Sequence, residues 1–236
     1  MRSELAAVAG GGAALWSLPA LAPLVPALSA ALGVPTRIAS AGAVALTFDD
    51  GPHPEGTPAV LDALAAAGVV ATFFMIGEQV LRDRGLAAEV VARGHAVAVH
   101  GHRHRNLLRL PPSVIADDLD RAASVIADAT GVVPDLHRPP YGIYSWPALQ
   151  AVTARGWTPL LWSRWGRDWT RHATPPGIAE RVTRDVQAGD VLLLHDADDY
   201  GAPGSHRRTA AALPRVLDAV RAAGLGLVAV PHPSGR

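Results

Sequence analysis

Five short stretches of the chain carry side chains that could do chemistry together. "VALTFDDGPHP" (44–54) ends a run of strand-forming apolar residues in two adjacent carboxylates, Asp49 and Asp50, followed at once by Gly-Pro. Neighbouring side chains on a strand point to opposite faces, so the pair serves one site only where the strand ends and twists into a loop. Otherwise it is a polar strand end capping a turn. "HGHRHRN" (100–106) holds three histidines at alternate positions. His100 and His104, four apart, share a face on a helical turn and can bind one cation, while His102 points elsewhere. With a carboxylate from another strand end they form a two-His, one-carboxylate set that leaves positions open for water and substrate, as in a catalytic metal site; alone, they are a solvated cluster.

The other three stretches are less specific taken singly. "HRPPYG" (137–142) locks Arg138 against two prolines, and Gly142 permits a tight turn; the plain alternative is a Pro-rich turn with an exposed arginine. "WSRWGRDWT" (162–170) joins three tryptophans to Asp168, with Trp162 reading as aromatic core. "VLLLHD" (191–196) is a buried strand ending in His195, where a lone histidine would be a hydrogen-bonded structural residue. His53, Asp198, Asp199 and His206 read as loop residues without a role.

The elements that must position these residues alternate. Strands are predicted at 43–48, 69–77, 95–100, 134–138, 158–162, 190–195 and 225–230, and helices at 58–68, 78–94, 112–131, 145–155, 176–187 and 208–223. About seven such alternations argue for a parallel sheet with outer helices, either a barrel or an open doubly wound sheet. The suggestive residues fall at the C-terminal ends of the predicted strands, the edge at which parallel α/β folds build their sites.

Composition narrows the chemistry further. The 236 residues suit one domain and, at 49% hydrophobic, can bury a core. The 21 basic and 21 acidic residues balance; every basic one is arginine, and they are spread and interleaved with acids, which speaks against a nucleic-acid partner. With no cysteine there are no disulfides, thiolate nucleophiles or Cys-based zinc sites, so any metal is held by histidine and carboxylate. Residues 1–36 form a separate apolar segment, uncharged from 5 to 34 but interrupted by Pro19, Pro23 and Pro26. It reads as a secretory signal with a small-residue cleavage region near 29–31, as an uncleaved membrane anchor, or as a hairpin packed on the domain; export or membrane association is the expectation, against a merely apolar extension of a cytosolic domain.

Together and in this order, "TFDDGP", "HGHRH", "RPPYG", "RDW" and "LLLHD" resemble the five motifs of the polysaccharide deacetylase (NodB-homology) family, carbohydrate esterase family four, over residues 43–232. The resemblance implies a distorted (β/α) barrel and one divalent metal ion, usually zinc with cobalt, nickel or iron possible, held by Asp50, His100 and His104. It implies Asp49 as the catalytic base, ionised and oriented by Arg138, and His195 as the general acid for the leaving amine, paired with Asp168. Trp169 and Leu193 match the lining of an acetyl-methyl pocket, and the backbone N–H of Tyr141 matches the oxyanion donor. Two departures stand out: Gly101 replaces the usual Ser or Thr after the first motif histidine, and Ser163 or Arg164 stands where the fourth motif usually has an earlier Asp.

The expected activity is metal-dependent hydrolysis of the N-acetyl amide of amino sugars in a glycan such as peptidoglycan or a chitin-like polymer. Two alternatives stand beside it: a deacylase or deformylase acting on a lipid-linked sugar or small amide, and a glycan-binding domain without catalysis.

Overall fold

A computed structural model describes residues 16–231. The chain runs through α1 (Pro26–Ala31), β1 (Ala43–Asp49), α2 (Gly56–Ala67), β2 (Thr72–Met75), α3 (Gly77–Arg82), α4 (Arg84–Ala92), β3 (Ala96–Val99), α5 (Pro112–Thr130), β4 (Leu136–His137), α6 (Trp146–Ala154), β5 (Thr158–Pro159), β6 (Arg164–Trp165), α7 (Pro175–Thr183), β7 (Val191–His195), α8 (Ser205–Ala222) and β8 (Gly226–Val228). These strands form one parallel sheet in the order β5-β4-β3-β2-β1-β7-β6, with β8 also beside β1. Ala45 is in register with both Val191 of β7 and Val228 of β8, so β8 lies opposite β7 and shares an edge of β1 with β2. The result is the expected distorted (β/α) barrel.

Alternation along the strands sorts the side chains into two apolar clusters. Val44, Leu46, Phe48, Phe73, Met75, Leu192 and Leu194 face outward into the main core beneath the helices. Ala45, Phe74, Ala98, Leu136, Leu160, Val191 and Val230 face inward and fill the base of the barrel. The inward series continues upward through Thr47 and Leu193 to Asp49 and His195, partners in register at the upper rim.

Between β5 and β6 the ladder is incomplete, and the chain crosses the gap through residues 160–163. The guanidinium of Arg138, with 0% exposure, reaches into this seam. Its Nε donates to the Leu160 carbonyl at 3.3 Å and its Nη2 to that of Leu161 at 3.0 Å, supplying donors that a neighbouring strand would otherwise provide. Outside the seam, the Leu161 amide donates to the Pro35 carbonyl at 2.9 Å.

The N-terminal segment reaches the seam as part of the folded body. Ala22 and Val34 are buried in the main core, and Trp16 Nε1 donates to the Leu108 carbonyl at 3.2 Å. Leu18, Leu21, Leu24 and Val25 remain exposed. Residues 1–15, which hold the start of the apolar run, lie outside the described residues. No described helix is long and apolar enough to cross a membrane.

Two local expectations change. The helix expected over 78–94 breaks at Asp83, whose carboxylate leaves the line of α3 to cap α4 by accepting from Leu86 N at 2.9 Å. The tryptophan-rich stretch contributes the strand β6, only two residues long, which no period-two pattern could reveal. Replacing Arg138 by Met is expected to destabilise the protein by roughly 3–5 kcal/mol, because it leaves Asp49 buried without its partner and two seam carbonyls without donors; chemical denaturation of the parent and variant measures the difference.

Candidate active site

Asp49 and Asp50 reach the same cavity because the strand stops between them. Asp49 keeps strand geometry and faces inward, whereas Asp50 has φ 83°, a left-handed conformation that turns its side chain off the sheet's outer face. Asp196 fixes the turn from below: a Cβ on Gly51 would overlap the Asp196 carboxylate, so only glycine fits there. Burial above all pushes the Asp196 carboxyl up to about 7, and it accepts from Thr57 Oγ1.

Asp50 Oδ1 lies 3.4 Å from both His100 Nε2 and His104 Nε2. The donor atoms of the three residues fall within 4.8 Å of one another. His100 directly follows β3, and its Nδ1 lies 2.8 Å from the Arg138 carbonyl, which turns Nε2 toward Asp50. His104 comes from the following loop; residues 100–106 are not the helical turn anticipated from their spacing. Gly101 at φ 94° reverses the chain, and a Cβ there would lie 3.2 Å from Asp118 Oδ2. Asp118 supplies the brace expected from a hydroxyl at position 101: it accepts from His102 N at 2.7 Å and from Arg105.

The charge states suit a cation. Burial more than any other influence pushes His104 down to about 4, despite the opposing Asp50 charge, so its ring is neutral and carries a lone pair. Burial acts to raise Asp50, but the neighbouring His100, His195 and His104 imidazoles outweigh it and hold the carboxyl at about 2. Asp50 Oδ1 is nonetheless buried without a hydrogen-bond donor. An anionic oxygen with no donor, facing two imidazoles, fits a divalent cation.

On the sheet side, Arg138 Nη1 donates to Asp49 Oδ1 at 2.6 Å and to Thr47 Oγ1 at 3.0 Å, while Phe74 lies under the guanidinium at 4.0 Å. Burial lowers the Arg138 pKa, and the Asp49 charge opposes that fall. Across the cavity, His195 Nδ1 lies 2.9 Å from Asp168 Oδ1, and Asp168 Oδ2 accepts from His195 N and Thr209 Oγ1, each at 2.7 Å. Burial lowers the His195 pKa, but the charge and hydrogen bond of Asp168, followed by the charges of Asp50 and Asp49, override it and raise the value to about 10.

The cavity enclosed by these groups measures about 220 Å³. Leu193 lies in its wall, and Trp169 presents its ring edge-on to His195 with centroids 5.1 Å apart. Tyr141 stands on the opposite wall at φ 62°, a strained setting for a side chain of its size, and Gly142 leaves room for Trp162 to pack close. Trp162 therefore packs against the core and lines the cavity as well.

Several functional neighbours were not singled out from the sequence. Thr47 sits two residues before Asp49 on the same strand face, a signal that period-two reading makes available. Thr209, Asp118 and Tyr200 come from distant elements; Tyr200 stacks on His104 at 4.3 Å and donates to Glu78 Oε1. Ser163 and Arg164 are committed elsewhere, both bonded to Asp190. His53, Asp198 and His206 also cluster, but His53 Nδ1 accepts from Glu55 N and Gly56 N. That leaves the proton on Nε2, facing Asp198 at 3.3 Å, so His53 clasps two loops and offers no lone pair to a metal.

A barrel with paired carboxylates, a two-His, one-carboxylate set and a carboxylate-held histidine at one rim defines a hydrolase. Residues 37–160 match the polysaccharide deacetylase family. The chain is 40% identical over 157 residues to a chitooligosaccharide deacetylase of Bradyrhizobium sp. (strain ANU 289), covering 65% of this chain and 70% of that protein. It is 30% identical over 192 residues to the peptidoglycan-N-acetylglucosamine deacetylase PgdA of Listeria monocytogenes, covering 81% of this chain and 39% of that longer protein. A family 4 carbohydrate esterase from Streptomyces lividans, solved in complex with acetate, superposes with a TM-score of 0.71 at 32% identity, covering 80% of this chain and 93% of that one. The chain belongs to the polysaccharide deacetylase (NodB-homology) family, carbohydrate esterase family four, whose members hydrolyse amide bonds.

His195 is held in its protonated form through neutral pH. Because its folded pKa is raised, its contribution to stability is complete below about 6.5 and is lost as the pH rises through about 10. Asp168→Asn removes the main raising influence and leaves burial, which lowers. The His195 ring titration, followed by NMR, is expected to fall by more than one pH unit; an unmoved titration would refute the pairing.

Proposed function

We propose that this chain is a metal-dependent deacetylase that removes N-acetyl groups from amino sugars of a glycan. The observation that carries this reading is the convergence on one cavity of three kinds of group: the Asp50, His100 and His104 set, the Asp49–Arg138 pair and the His195–Asp168 pair. A divalent cation held by Asp50, His100 and His104 supplies a Lewis acid that makes water a better nucleophile and polarises the acyl carbonyl.

The remaining work falls to the chain. Arg138 occupies Asp49 Oδ1 and leaves Oδ2 for the proton of the attacking water. Asp168 occupies His195 Nδ1, so Nε2 delivers the proton to the sugar nitrogen as the C–N bond breaks, and acetate and the free amine depart. The Tyr141 N–H supports the acyl oxygen as negative charge develops on it. Leu193 and Trp169 hold the methyl group and exclude water from that side. The cavity is smaller than the roughly 300–1,000 Å³ of typical ligand pockets, which suits an acyl group entering from a sugar seated on the rim. Relatives named for chitooligosaccharide and peptidoglycan N-acetylglucosamine deacetylation support the substrate class.

Acetate release from N-acetylglucosamine oligomers tests this reading. With zinc or cobalt supplied, wild type is expected to turn over, chelation to abolish activity, and Asp49→Asn to lower kcat by about 10²–10⁴-fold. The His100→Ala/His104→Ala double variant is expected to lose its bound metal by elemental analysis. Metal-loaded wild type that releases no acetate would leave a glycan-binding domain as the better account.

We further propose that the enzyme works at a membrane surface, where lipid-linked sugars are an additional substrate class. The exposed Leu18, Leu21, Leu24 and Val25 on the N-terminal segment support this. Replacing the four by Ser is expected to lower co-sedimentation with phospholipid vesicles; equal sedimentation of parent and variant would sink the idea.

A further inference from the structure

Beside the catalytic cavity runs a second groove with a different chemical character. Its walls carry Arg167, Thr170, His172, Thr174 and Arg181, and no aspartate or glutamate. The groove begins at Gly166, directly after Trp165, an exposed ring that lines the catalytic cavity, and Arg167 lies 5.6 Å over that ring. The same segment continues directly into Asp168 and Trp169, so whatever the groove holds sits next to the acyl site.

Two arginines share this groove in a chain without net charge. Most arginines meet a carboxylate: Arg37 and Arg164 meet Asp190, Arg105 meets Asp118, and Arg155 meets Asp120. Arg167 and Arg181 are exposed and, among the described residues, have no carboxylate within salt-bridge distance. Two cations and two hydroxyls facing one groove without an anion favour a bound negative group, and a guanidinium matches carboxylate or phosphate oxygens in a bidentate fork. The side chains provide the donors. Helix α7 opens with two prolines, which have no N–H, and Thr174 Oγ1 already accepts from Gly177 N.

Resting on the deacetylase reading above, we propose that this groove binds a carboxylate or phosphate carried by the glycan on a sugar neighbouring the one deacetylated. The preferred substrate is then an acidic N-acetylated glycan rather than a neutral one. Trp165 forms the bridge between the two sites, its ring face packing on the sugar between them.

The test uses the full chain and three oligosaccharides of equal length: neutral N-acetylglucosamine oligomers, a form with carboxylate-bearing sugars, and a form with phosphate-bearing sugars. The kcat/KM for at least one acidic form is expected to exceed the neutral value about tenfold at low salt, and the ratio to shrink as salt rises. In the Arg167→Gln/Arg181→Gln double variant that ratio should fall to within about twofold of unity, while the Lys/Lys variant retains part of it. Arg215→Gln, a surface change elsewhere, controls for net charge. A wild-type ratio near one, or a ratio unchanged in the Gln double variant, overturns the proposal; which acidic form is favoured distinguishes carboxylate from phosphate. Tryptophan fluorescence titrations with the same oligosaccharides read binding without turnover. If no substrate releases acetate, the deacetylase reading fails by itself, and arginine-dependent, salt-sensitive binding of the acidic forms still decides the groove.

Discussion

A guanidinium sealed from water is costly unless its nitrogens are hydrogen-bonded, and Arg138 uses all three of its own on two structures at once. One side satisfies the carbonyls of Leu160 and Leu161, where the ladder between β5 and β6 is incomplete; the other holds Asp49 and Thr47. Its own carbonyl orients His100. The wall of the barrel, the position of Asp49 and the orientation of the His100 ring therefore depend on a single residue. The segment through Val34 and Pro35 covers the same gap from outside, which ties the N-terminal region to the integrity of the site.

The electrostatics follow a simple division. Asp49 and Asp168 each face a cation of the chain, Arg138 and His195 respectively. Asp50 faces only imidazoles, one of them neutral, and one of its oxygens has no donor. The unmatched charge falls on Asp50, between the His100 and His104 rings. His195 gains its proton affinity from Asp168 and, to a lesser degree, from Asp50 and Asp49, so the two sides of the cavity draw on one local field.

Much of this was legible in the sequence, for physical reasons. Apolar runs ending in Asp49, His100, Arg138 and His195 place chemistry at strand ends, and parallel strands bring their C-terminal ends together. What escaped depended on backbone conformation or on long-range approach. Four-residue spacing suggested a helical turn for His100 and His104, whereas Gly101 at φ 94° and Asp118 build a loop that joins them. A strand of two residues such as β6 has no period to detect. Thr209 and Tyr200 approach the site from an element and a loop beyond β7, with no local pattern to announce them.

The left-handed turn at Asp50 also divides the site mechanically. Asp49 and His195 stand on paired strands whose motion would disturb the whole sheet, whereas Asp50 and His104 hang from loops. The Asp49 and His195 side chains thus rest on the ladder of the barrel, whereas Asp50 and His104 stand on rim loops and His100, between them, directly follows β3. Substitutions in the rim loops can therefore reshape the Asp50 and His104 side of the cavity while leaving the register of Asp49 with His195 in place.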